Sequence, residues 1–316
     1  MGLFGQIFNS KSKNKTSSSS LAKTSRADEI RITETLGLRR LESMPVQAAK
    51  AFQLSCDPKS TLDDFVKIIE SDEVLSARIM KIANSVYFRR GDQAKDISRA
   101  VANIGLNEIK CLLSAAMLKS LLKGNSKMRN VIWGNSVATA LTTKHLSMYT
   151  NIPEGEAFLC GLLHDVGKLI MLQRSTPKYE KLMQVFLNSS RGSVVLEEEG
   201  FDLTHIELGK WLAEKWSFPE SVRRAITFHH HRWPDNPNEL GKKTSPAMLV
   251  KCADTIAHAN RLGHNSSHRA FGTKCQIEKT AILNQLQISE SDLENIEKTV
   301  SRLFESEISL YSMGGS

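Results

Sequence analysis

Cys160-Gly161-Leu162-Leu163-His164-Asp165-Val166-Gly167-Lys168-Leu169-Ile170 sets an imidazole and a carboxylate side by side in an otherwise apolar run. Leu162, Val166, Leu169 and Ile170 recur at helical spacing, so the stretch reads as a helix packed into a core. An uncompensated carboxylate is costly there. Three arrangements satisfy it. A divalent cation takes both side chains as ligands, the histidine through a ring nitrogen and the aspartate through an oxygen. Alternatively the carboxylate fixes the tautomer of another histidine, or His164 is a hydrogen-bonded core residue with Asp165 on a wetter side.

The rest of the chain places this helix among others. At 316 residues it can hold one large or two medium domains, aromatics make up only 6%, and runs with strand character are hard to find. The expected fold is all-α. No run of about 18 uncharged apolar residues occurs and the start lacks the pattern of a signal peptide, so the expected location is cytoplasmic. Cys56, Cys111, Cys160, Cys252 and Cys275 are odd in number and form no C-x-x-C pair, which argues against a disulfide framework and a thiolate zinc site.

The net charge of +8 is regional. Residues 1–27 carry Lys11, Lys13, Lys15, Lys23 and Arg26 with no acid, and read as a disordered basic tail. Within it Leu3, Phe4, Ile7 and Phe8 form a short apolar face, so residues 1–9 are a candidate for weak peripheral membrane contact. Residues 78–130 hold eleven Lys and Arg against Asp92, Asp96 and Glu108. Only Tyr87 and Phe88 interleave aromatics there, so nucleic-acid binding ranks last among the function classes considered.

Helix signals follow one another from Asp28. Thr61 or Ser60 caps a stripe of Leu62, Phe65, Val66 and Ile69; Leu75, Ile79, Ile82 and Val86 make the next; Asp96 opens a short helix that Gly105 ends. Asn107 opens a longer one, and the polar run Lys123–Arg129 with Gly124 marks a lobe boundary. The expected organisation is an N-terminal helical lobe over 28–125, a second lobe over 126–265 and C-terminal helices over 266–316. In the second lobe a helix begins near Val131, Thr204 to Trp216 is helical, Pro219 opens the next helix, and Pro246 another. Asp235–Lys243 reads as a loop, and Ser289 with Asp292 as a capping box.

Five of the nine histidines lie between 164 and 231. His205 starts a helix, His229, His230 and His231 end one, and Asp254 lies inside an apolar helix, so donors from several helices can meet in a bundle core. A rival reading has cationic histidines complementing a helix C-terminus.

Met44-Pro45, Ile68-Ile69-Glu70-Ser71-Asp72, Ile82-Ala83-Asn84-Ser85, Ala100 to Gly105, Trp133 to Ser136, Gly161 to Lys168, His205 through Gly209 and Trp216 to Pro219, and His229-His230 occur in that order. From about Leu41 to Asn260 the chain thereby resembles the bacterial HDOD proteins, regulatory relatives of the HD superfamily of metal-dependent phosphohydrolases. The resemblance implies two helical lobes, the second similar to an HD phosphodiesterase domain, and a role in signal transduction as a regulatory or adaptor module without catalysis. It also implies a signalling protein partner and a nucleotide second messenger as a candidate ligand. The superfamily's metal set carries over to His164, Asp165 and Asp254, and its early histidine falls at Asn135. Asparagine offers only a neutral carbonyl oxygen, so a single-metal site would be one ligand short. The additional histidines of related phosphodiesterases map onto His205, His229 and His230. The candidate metal ligands are therefore His164, Asp165, His205, His229 and Asp254, for Fe, Mn, Mg or Zn; Asn135, Lys168 and His230 are candidate ligand-binding residues. The alternative expectation is a metal-dependent phosphohydrolase or cyclic-nucleotide phosphodiesterase in which Lys168 contacts the phosphate.

Overall fold

The computed structural model describes residues 21–37, 46–85, 88, 92–121, 126–189, 191–231, 244–263 and 269–311. Among them there is no strand. The first lobe consists of α1 (Arg26–Thr35), α2 (Val46–Cys56), α3 (Leu62–Glu70), α4 (Glu73–Ala83), α5 (Ile97–Ile104) and α6 (Leu106–Leu121). The second holds α7 (Lys127–Leu146), α8 (Glu154–Leu163), α9 (Val166–Arg174), α10 (Thr176–Asn188), α11 (Ser193–Phe201), α12 (His205–Lys215), α13 (Glu220–Phe228) and α14 (Pro246–Ala259), followed by α15 (Arg269–Leu286) and α16 (Glu290–Tyr311).

Local signals set most helix ends. Thr61 and Asp64 form a capping box on α3, Thr204 and Glu207 one on α12, and Ser289 and Asp292 bond reciprocally at the start of α16. The Asp96 carboxylate accepts the Arg99 N–H, and Gly105, at φ +91°, turns the chain from α5 into α6. Two ends differ from the sequence pattern. α4 stops at Ala83 instead of continuing to Val86, because the Asn84 side chain turns aside to exchange two hydrogen bonds with the Ala94 backbone, at 2.8 and 3.1 Å. α7 starts at Lys127, ahead of Val131, because Ser126 accepts the Arg129 N–H.

The buried α7 organises the second lobe, with α8, α14 and α16 packed around it. One apolar core runs from Ile32 of α1 to Tyr311 of α16 and passes through both lobes; a second, smaller cluster joins α7, α14, α15 and α16. The Tyr311 ring lies 5.5 Å from that of Phe158 on α8, so the C-terminal helix closes over the lobe it follows.

At the other end, Ser25 caps α1, so residues 25–27, read from the sequence as the end of a tail, begin a helix. α1 is tied to α12 by polar contacts: Thr24 N–H to the Glu214 carboxylate at 3.0 Å, Arg31 to Glu207 at 2.5 Å, and Lys215 to Glu29 at 2.6 Å. The apolar face of residues 1–9, Met44-Pro45, the boundary at Gly124 and the loop 235–243 lie outside the described residues. Among the described residues no single helix is long and apolar enough to cross a membrane.

Candidate functional site

The stretch around His164 is two helices, not one. α8 ends at Leu163, His164 and Asp165 form a turn, and α9 restarts at Val166. The break points both side chains into the same interior space, where they are 1% and 2% exposed. Gly167 then lets α9 meet the start of α12: a β-carbon there would fall 2.0 Å from the His205 carbonyl oxygen. His205, first residue of the capped α12, is thereby brought against Asp165.

Three histidines are oriented alike. His164 Nδ1 lies 2.7 Å from the Gly161 carbonyl oxygen, His229 Nδ1 3.0 Å from that of Ile226, and His205 Nδ1 2.6 Å from Glu197 Oε2. Each Nδ1–H is thus taken by an acceptor, which turns Nε2 inward. Those three Nε2 atoms and Asp165 Oδ1 are buried without a hydrogen-bond partner. His205 Nε2 is 3.3 Å and His229 Nε2 3.6 Å from Asp165 Oδ1. His230 stands beside them with its ring 4.2 Å from that of His229, and one donor atom each of Asp165, His205, His229 and His230 lie within 4.8 Å of one another.

Asp254 belongs to a neighbouring group. Its Oδ1 accepts from Asn135 Nδ2 and Thr139 Oγ1, both at 3.2 Å, and His258 Nε2 is 3.3 Å away. His164 bridges the two groups, with Nε2 3.3 Å from Asp165 Oδ2 and 3.6 Å from Asp254 Oδ1. Of the five candidate metal ligands, Asp165, His205 and His229 face one another with His230, whereas Asp254 is engaged by Asn135, Thr139 and His258, with His164 between. Lys168 is buried and places Nζ 2.6 Å from Asp165 Oδ2.

The charges close on themselves. Burial works against a charged His164, but Asp165 and Asp254 outweigh it and raise its pKa to about 10. Burial likewise opposes ionised Asp165, and His164 and Lys168 hold its carboxyl well below the usual range. Asp165 and Asp254 thus face one imidazolium and one ammonium, and Glu197, whose ionised form burial opposes but His205 and Lys168 favour, is a third buried carboxylate near Lys168. His229 is different: burial pushes it down to about 4, and His231 is also lowered by burial. Burial thus opposes the charged form of these histidines at the end of α13.

Sequence reasoning missed Glu197 and Tyr179. Glu197 is fully buried; its Oε2 accepts both the backbone N–H and Nδ1–H of His205, and its Oε1 accepts the Tyr179 hydroxyl at 2.6 Å. Its signal was hidden in the run Glu197-Glu198-Glu199, which looks like one acidic surface.

The donor set can hold a divalent ion. Three imidazoles and a carboxylate oxygen suit Zn, Mn or Fe better than Mg, and the Glu197–His205 pair has the form of a carboxylate that orients a ligating histidine. Within that group the orphaned atoms Asp165 Oδ1, His205 Nε2 and His229 Nε2 are what such an ion would engage.

Comparison with known proteins agrees with this architecture. An uncharacterised protein of Treponema pallidum (strain Nichols) is 27% identical over 205 residues, 63% of this chain and 40% of the Treponema protein. A crystal structure from Marinobacter aquaeolei VT8, described as a candidate signal transduction protein, superposes with a TM-score of 0.71 at 20% identity, covering 91% of this chain and 66% of the other. An HDOD domain protein of unknown function from Geobacter sulfurreducens gives 0.66 at 22% identity, covering 90% and 96%. The chain thus spans well under half the length of its Treponema relative and about two thirds of the Marinobacter protein. The HDOD domain model matches residues 41–232, more than half of the chain and the stretch that carries His164, Asp165, His205 and His229, and the chain belongs to the HDOD family.

Proposed function

We propose that this chain is a non-hydrolytic signal-transduction module, whose second lobe keeps the shape of a phosphodiesterase while the protein acts by binding a partner or small ligand. The observation that carries this reading is the Asn135–Asp254 hydrogen bond: a neutral amide stands where the superfamily has its first histidine, and it donates to the aspartate that would otherwise face a metal. Lys168 supports it by neutralising Asp165 from inside the pocket. The test is turnover of cyclic mono- and dinucleotides by the full chain supplied with Mn, Fe, Mg or Zn. Absence of turnover is expected; turnover that His164→Ala abolishes would overturn the reading.

A metal-dependent phosphohydrolase is the second reading, favoured by the convergence of Asp165, His205, His229 and His230. A bound ion would polarise a phosphoryl oxygen and lower the pKa of its water. Glu197 would hold the His205 ring in register, and the Lys168 ammonium would sit near any phosphate that approached Asp165. Elemental analysis after incubation with Fe, Mn and Zn separates the readings, since a chain that stays metal-free cannot work in this way.

A further inference from the structure

The basic stretch 78–130 takes no part in the His164–Asp165 pocket, yet not all of its charges are solvated. Arg78 on α4 buries both Nε and Nη2, and neither makes a hydrogen bond. These atoms form one edge of the guanidinium, the fork that takes two oxygens of an oxyanion side by side. Among the described residues no carboxylate offsets this: burial alone acts on Arg78, lowering its pKa to about 10. Lys119 of α6 is lowered by burial and then by the charges of Arg78 and Arg129, and Arg129 of α7 is itself lowered by burial. Lys119 also connects this group to Trp133, with its ammonium 5.9 Å from the indole ring centre. Trp133 Nε1 is a second buried donor without a hydrogen-bond partner.

Three helices therefore bring positive charges and orphaned donors to one seam. For Arg78 and Trp133 Nε1, no acceptor occurs among the described residues. A nucleic-acid backbone would call for an open basic stripe; a fork recessed below the surface is matched by one compact group instead. We propose that Arg78, Lys119, Arg129 and Trp133 form a recess for a small phosphorylated anion, whose phosphate oxygens pair with Arg78 Nε and Nη2. Bound there, the anion would join α4 and α6 of the first lobe to α7, which carries Asn135 two residues beyond Trp133.

Calorimetric titration of the full chain with inorganic phosphate, and separately with 5′-GMP, tests this at low salt in phosphate-free buffer. Saturable binding of at least one is expected, and tighter binding of GMP would identify a nucleotide as the source of the phosphate. Arg78→Gln should weaken binding by about tenfold or more, and Arg78→Lys, which keeps the charge but not the fork, by about threefold to tenfold. Trp133→Phe, which removes the indole N–H together with the five-membered part of the ring, should cost about threefold. Absence of binding by both ligands, or equal affinity in Arg78→Gln, would overturn the proposal. Should Arg78→Gln fail to fold, unchanged affinity in Arg78→Lys would do so. Duplex DNA binding that phosphate does not compete would assign these cations to nucleic acid and also overturn it.

Discussion

The His164–Asp165 pocket and the Arg78 recess both bury polar groups between helices, but they differ in charge balance. In the pocket, Asp165 and Asp254 face Lys168 and a protonated His164, so acids and bases offset one another inside the protein. In the recess the orphaned groups, Arg78 Nε and Nη2 and Trp133 Nε1, are donors, and among the described residues no carboxylate acts on Arg78. Buried charges that pair with one another need no guest, whereas a buried cation without a partner, as Arg78 is, is stabilised by an anion that binds it. The two regions therefore respond oppositely to loss of a buried cation.

The largest effect is expected at Lys168. Lys168→Met leaves the Asp165 carboxylate buried without its ammonium and should destabilise the chain by about 3–5 kcal/mol, measured by urea unfolding. Arg78→Met should do the reverse in phosphate-free buffer and raise stability by about 1–2 kcal/mol, because a cation without a partner is replaced by apolar volume. If both substitutions destabilise alike, the contrast between the regions fails.

Glu307 of α16 is a milder, acidic counterpart of Arg78. Its Oε2 is buried without a hydrogen-bond partner, and burial followed by the nearby Glu108 charge raises it to about 7 against the pull of Lys144. Because the folded pKa lies above the ordinary 4.5, the folded chain keeps a proton that the unfolded chain has already lost. Stability should fall as pH rises from 4.5 to 7 and level off above. The loss is about 1 kcal/mol once residual exposure is discounted, and Glu307→Gln should remove it in a series of melts across that range. The smallest effect is expected at α1: Arg31→Ala breaks a partly exposed pair with Glu207 and should cost about 0.5–1 kcal/mol, with a loss that shrinks in high salt.

Much of the fold was legible because helix starts carry local chemistry. Thr61, Asp96, Thr204 and Ser289 each satisfy backbone donors within a few residues, and such signals survive in the linear sequence. The break at His164-Asp165 was not legible, since Leu162, Val166, Leu169 and Ile170 keep helical spacing across it and all four side chains are buried on both sides of the turn. The grouping of donors depends on packing: Gly167 decides how close His205 comes to Asp165, and nothing near Asp254 in sequence announces Asn135 or Thr139. Glu197 was masked by its two exposed neighbours. Lys168 could equally have been a surface residue one turn past the pair, and only its burial makes it the counter-ion of Asp165.

We propose that Asn135 and Lys168 leave this pocket a polar core rather than a hydrolytic centre. The most direct measurement is metal-dependent hydrolysis of bis(p-nitrophenyl) phosphate by the intact chain incubated with Mn or Fe. A rate indistinguishable from buffer containing the same metal, in a chain whose melt shows it folded, is the expected result. A rate above that background which His164→Ala or Asp165→Asn removes, in variants that remain folded, would contradict it.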